Sequence, residues 1–128
     1  LVRRLANKLL AYRDEIDDWE AHFTADAERL VVAYGSVARS ALWAVQEARR
    51  REQRVGLLRL KSLWPFPDEI VTRYADDCRE VVVPEMNLGQ VAREVQRCTA
   101  ARVTPLPQTN GEIVDPRRIL GYLLEGRW

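Results

Sequence analysis

The chain of 128 residues has one methionine, one histidine and two cysteines. Each scarcity removes a class of chemistry. Metal and iron–sulfur centres usually draw on close-spaced ligand pairs, and Cys78 and Cys98 lie too far apart to form a CxxC. They read as two reduced thiols, with Cys98 expected in the core. His22 has no partner ligands nearby in sequence, so it is not expected to hold a metal or to catalyse. Neither G-x-G-x-x-G nor G-x-x-x-x-G-K-[ST] occurs, which removes the two common phosphate-binding loops. No apolar run approaches the ~20 residues that span a bilayer, and no secretory leader pattern opens the chain. A soluble, cytoplasmic protein with no membrane partner is expected. The only methionine is Met86, which predicts a processed chain or an excised piece of a longer one.

A surplus of either charge is also missing: 20 basic and 19 acidic residues leave a net +1. Nucleic acid is not expected as a partner, because there is no extended basic face and no recognisable binding motif. The balance hides local clusters, acidic at Asp14, Glu15, Asp17, Asp18 and Glu20, basic at Arg49, Arg50, Arg51 and Arg54. Arg49 to Arg51 fall in the last turn of a predicted helix, where cations oppose the macrodipole.

What is present is a repeated pattern. Leu30 to Ser36 (LVVAYGS), Val55 to Leu60 (VGLLRL) and Val81 to Gly89 (VVVPEMNLG) each open as a short apolar run, and two of them break at a small polar turn that starts a helical pattern. Buried parallel strands read this way. Helical sequence from Ser36 to about Gln53, and again from Pro67, separates the runs and predicts a parallel α/β sheet with helices on both faces. Strands are expected near Trp19 to Phe23 at an edge, then at Leu30 to Tyr34, Val55 to Arg59, Glu80 to Val83 and Arg102 to Thr104. Pro105, Pro107, Asn110 and Gly111 read as a loop. Asp115 then caps a short helix begun by Pro116, and Gly126 to Trp128 read as close to the natural terminus. Ahead of all this, Val2, Leu5, Leu9, Tyr12, Ile16 and Trp19 recur at three- and four-residue steps, an a/d seam that could lie on its own domain, pack on a missing N-terminal domain or a second subunit, or, left exposed, drive a homodimer.

The phrases VVAYGSVARSA, VGLLRLKSLWPFP and VVVPEMNLGQVAREV closely resemble the C-terminal part of the α subunit of 2-oxoacid:ferredoxin oxidoreductases, most of all the 2-oxoglutarate type. The resemblance runs from about Asp26 to Leu120. It implies a linker helix and possible edge strand over residues 1–24 and a transketolase C-terminal-like domain over 25–128. The implied fold is a three-layer α/β/α sandwich on a mixed five-stranded sheet, with the first strand antiparallel at the edge and the second central.

A central second strand would open a crevice at the carboxyl ends, where its neighbours' connections depart in opposite directions. The turns at Gly35-Ser36 and Glu85-Met86-Asn87 would face each other there. Gly35 permits a positive-φ exit from the strand, and Ser36 is expected to cap the next helix. Asn87 with Gln90 has the spacing of a capping box, and Gly89 lies between them. Pro67 suits a first helical position, followed by Asp68 and Glu69 at the positive helix end. Trp64 and Phe66 flank prolines on a connection and are expected to pack on the core or on a neighbouring domain. The candidate interdomain or crevice residues are therefore Gly35, Ser36, Trp64, Phe66, Glu85, Asn87 and Gly89.

The resemblance implies a parent enzyme that oxidatively decarboxylates a 2-oxoacid with coenzyme A, giving an acyl-CoA, carbon dioxide and reduced ferredoxin. Thiamine diphosphate, Mg2+ and iron–sulfur clusters would serve the parent, with no catalytic, cofactor or metal residue in this segment. Its partners would be the rest of the α subunit and the β subunit, and the arginine cluster could dock ferredoxin. Pyruvate or a branched-chain 2-oxoacid is an alternative substrate. The rival reading is a freestanding flavodoxin-like module that binds a small anionic ligand in the crevice.

Overall fold

A computed structural model describes residues 19–86 and 89–128. The elements are β1 (Trp19–His22), β2 (Arg29–Tyr34), α1 (Gly35–Arg50), β3 (Val55–Leu60), α2 (Asp68–Ala75), β4 (Glu80–Glu85), α3 (Gln90–Cys98), β5 (Arg102–Pro107) and α4 (Pro116–Glu125). They build one five-stranded sheet in the order β1-β3-β2-β4-β5. β1 is antiparallel to β3, and the other pairs are parallel. The central β2 and the antiparallel edge strand agree with expectation. The amphipathic seam lies outside the described residues apart from Trp19, which belongs to β1 with Glu20 rather than to a helix.

Period-two alternation sends the strand side chains into two cores. Val31, Ala33, Val55, Leu57 and Val82 pack under α1 and α4, through Val37, Ala41, Val45, Ile119 and Leu123. Leu30, Val32, Leu58, Leu60, Val81 and Val83 pack under α2 and α3, through Val71, Ala75, Val91 and Val95. Both faces of the sheet are thus covered, which is why these strands read as unbroken apolar runs. Gly56 is needed for a close approach: a Cβ there would stand 2.9 Å from the Phe23 carbonyl oxygen.

Several boundaries differ from expectation. β5 runs through Pro105 and Pro107, which were expected in a loop; an edge strand tolerates proline because its outer amides need no ladder partner. β4 likewise continues through Pro84 to Glu85. The β2–β4 pairing covers Arg29↔Glu80 to Val31↔Val82, whereas β4 stays paired with β5 as far as Glu85↔Pro107. Pro84 therefore falls where β4 has a strand partner on one side only, and the sheet begins to part at its carboxyl end.

Candidate functional site

That parting is the expected crevice. Gly35, at φ +61°, turns the chain out of β2 into α1, and the Ser36 hydroxyl points at Met86 Sδ 3.9 Å away. Ser36 and Met86 thus approach each other across the crevice. Ser36 is not a cap, however. The N-cap position is Tyr34, with no side-chain cap bond, because the helix already starts at Gly35. Asn87 lies outside the described residues, and the N-cap of α3 is Gly89, at φ +87°.

The principal polar feature of the crevice is Glu85. Its side chain is fully buried, and its carboxylate oxygens accept from the Val91 amide (3.0 Å) and the Ala92 amide (3.1 Å). Its own carbonyl accepts from the Gln108 amide at 2.9 Å. A residue at the end of a strand thus satisfies the opening amides of the following helix, where the macrodipole also favours a negative charge. The start of α3 would otherwise attract an external anion; this chain fills it from within.

Beside Glu85 lies a cleft of about 420 Å³ lined by Tyr34, Leu63, Phe66 and Val91, with Trp64 at its mouth. Phe66 packs partly into the core between α2 and α3. Trp64 is 86% exposed and so does not pack on the core of this chain. On the rim Arg97 bridges Glu94 and Asp68, the latter at 3.3 Å. Asp68 and Glu69 occupy the first turn of α2 as expected, but Pro67 stands at the N-cap, one place earlier than its expected position.

The amino end of the sheet holds a polar network that sequence reasoning missed. Glu80 Oε2 accepts from Tyr122 Oη (2.6 Å) and Thr104 Oγ1 (2.7 Å), and Arg29 stands 3.9 Å from Oε1 while donating to the Leu123 carbonyl at 2.6 Å. Burial alone would raise the Glu80 pKa. The bonds from Tyr122 and Thr104, with the Arg29 charge, outweigh burial and hold it below its ordinary value. The Tyr122 hydroxyl is raised by burial and by its bond to Glu80. Four elements contribute one residue each, and no sequence period links them. Arg49 likewise turns inward, to Asp26 (2.7 Å) and to the carbonyls of Phe23 (2.6 Å) and Val55 (2.9 Å), rather than standing free in a basic patch.

Cys78 is buried, whereas Cys98 is only half-buried at the margin of the core rather than inside it. Burial, then the nearby Asp68 charge, pushes the Cys98 thiol up to about 11, and burial also raises Cys78. Both are protonated thiols at neutral pH. His22 Nε2 meets Glu20 at 3.1 Å on β1. No group of three His, Cys, Asp or Glu able to hold a metal occurs among the described residues. No helix among them is long and apolar enough to cross a membrane.

The donor set does not fit the cofactors that the sequence resemblance implies for a parent enzyme. Two cysteines in the whole chain cannot supply the four thiolates that usually hold an iron–sulfur cluster. The α3 amides that could cradle a diphosphate are already bonded to Glu85.

An open, doubly wound α/β sheet, covered on both faces and parted at its carboxyl end, defines the structural class. The sequence model of the pyruvate:ferredoxin oxidoreductase core domain II matches residues 27–119, and the chain belongs to that family. It is 42% identical over 127 residues to the 2-oxoglutarate synthase subunit KorA of Methanothermobacter thermautotrophicus, covering 98% of this chain and 34% of that subunit. The chain thus spans about a third of the length of the curated relatives it matches most fully. A solved 2-oxoglutarate:ferredoxin oxidoreductase from Magnetococcus marinus, with 2-oxoglutarate, coenzyme A and succinyl-CoA bound, superimposes with a TM-score of 0.80. The identity is 23%, over 94% of this chain and 23% of that chain. The inactive β4 tetramer of a split-gene transketolase gives 0.69 at 16% identity, over 83% of this chain and 40% of that one. These two structures establish the likeness of fold.

Proposed function

We propose that this chain is a non-catalytic domain of a 2-oxoacid:ferredoxin oxidoreductase α subunit, of the 2-oxoglutarate type, serving subunit assembly and the shape of the active site. The parent enzyme converts its 2-oxoacid and coenzyme A to acyl-CoA and carbon dioxide, with electrons passing to ferredoxin. Thiamine diphosphate, Mg2+ and iron–sulfur clusters belong to other parts of that enzyme, in the cytoplasm. Residues 25–128 form the body of the domain, and residues 1–24 lead into it and supply its edge strand β1. The observation that carries the non-catalytic assignment is Glu85, buried on the amides of Val91 and Ala92, where an open sheet of this kind would receive an anionic ligand. The same observation disfavours a freestanding binding module.

Two measurements test the reading. Calorimetric titration of the isolated chain with thiamine diphosphate and Mg2+ should show no saturable binding, and micromolar binding would overturn the non-catalytic role. The complete enzyme should reduce ferredoxin in the presence of coenzyme A and 2-oxoglutarate. Turnover confined to pyruvate or a branched-chain 2-oxoacid would overturn the 2-oxoglutarate assignment alone.

A further inference from the structure

The two ends of the sheet are finished differently. At the amino end Arg29, Glu80, Thr104 and Tyr122 satisfy one another, and Arg49 closes the neighbouring seam. At the carboxyl end Trp64 stands 86% exposed at the mouth of an apolar cleft. So large an aromatic surface on a cleft of this kind marks a contact site.

Three observations point to what covers it. The Trp19↔Leu60 register, with the Lys61–Glu20 ion pair at 3.0 Å, places the start of β1 at this same end of the sheet. β1 therefore begins at the end of the sheet that carries the cleft. Next, this chain spans 34% of the matched synthase subunit, so a subunit of that length has most of its polypeptide still to place. Finally, the rim is acidic: Asp68 and Glu94 share the single cation Arg97 and leave a net negative edge.

We infer that the Trp64 cleft seats another part of the same subunit, through apolar side chains that enter between Trp64 and Phe66 and a basic fringe that meets Asp68 and Glu94. The inference rests on the subunit reading above. Hydroxyl-radical footprinting, read by mass spectrometry at Trp64, tests it in the 128-residue chain and in the complete subunit prepared without its partner. Trp64 oxidation should slow several-fold in the complete subunit, while Trp43, 40% exposed on α1, serves as the reference. Asp68→Asn combined with Glu94→Gln should restore part of the Trp64 rate in the subunit and leave the short chain unchanged.

Equal Trp64 rates in the two proteins overturn the inference, as does a complete reading frame with nothing before Leu1. Protection that appears only with the second subunit, or that grows with protein concentration, assigns the cleft to another chain and overturns it too. Full protection already present in the short, dilute chain assigns the cover to residues 1–18, with the same result. A protected Trp64 in a subunit whose assembled enzyme lacks 2-oxoacid turnover would defeat the functional reading alone. An exposed Trp64 in the subunit of an active enzyme would defeat this inference alone.

Discussion

Glu85 shows how far a single residue can depart from its sequence context. An acid that follows Val-Val-Val-Pro reads as the first wet residue of a turn, yet its carboxylate is fully buried against two helix amides. The position was legible as a crevice residue because it ends a strand run; the occupation of the crevice was not, since nothing local reveals which amides a side chain will reach. Glu85→Ala should strand the Val91 and Ala92 amides at a cost of about 2–6 kcal/mol, the sum of two buried groups left without acceptors. Glu85→Gln keeps one oxygen acceptor and should cost less. Urea denaturation of the isolated chain measures both. Equal stability of the Ala variant and the parent would mean that water serves these amides equally well.

At the scale of elements, helix ends were the least legible and strand interiors the most. α1 closes with Glu52 at φ +64°, where the Glu52 amide bonds to Arg49 O and the Gln53 amide to Ala48 O, both at 3.0 Å. That is a Schellman turn with glutamate in the place usually held by glycine. Relief of the left-handed strain in Glu52→Gly should stabilise the chain by about 1 kcal/mol, seen as a higher melting temperature. A lower one would show that the Glu52 side chain stabilises more than its backbone strain costs. α4 began as the sequence indicated, with Asp115 accepting from the Arg117 amide at 2.9 Å, but its closure at Gly126 and its attachment through Tyr122 were not read. Tyr122→Phe should cost about 1.5–3 kcal/mol near neutral pH, the range for a bond to a charged group. The pH dependence follows from the two shifts. Folded Glu80 lies below its ordinary 4.5, so its contribution is complete above that value and fades as pH falls through the depressed one. Tyr122 lies above its ordinary 10, so its contribution is complete below that value and fades as pH rises through the raised one. The gap between parent and variant should therefore shrink at both extremes. A gap independent of pH would mean that the hydroxyl acts only through packing.

The whole molecule was the most legible scale, because strand and helix alternation leaves few topologies open and the apolar runs say that both faces are covered. Val31, Leu57 and Val82 belong to one core, Val32, Leu58 and Val83 to the other, and all six side chains are fully buried. At these central positions neither face of the sheet is wet, and the charges of the inner strands lie away from them, at Arg29, Arg59, Glu80 and Glu85. Val82→Asp would set a carboxylate in the core beneath α1 and α4, flanked along β4 by Val81 and Val83. An unpaired buried charge costs several kcal/mol, a large part of the ~5–15 kcal/mol that holds a domain together. Loss of cooperative thermal unfolding by circular dichroism is the expected result. Val82→Ala separates charge from lost packing: it should lower stability by about 2 kcal/mol and leave a cooperative transition. If Val82→Asp instead melts at the parent temperature, Val82 faces solvent, and the second layer of helices does not cover that face of the sheet.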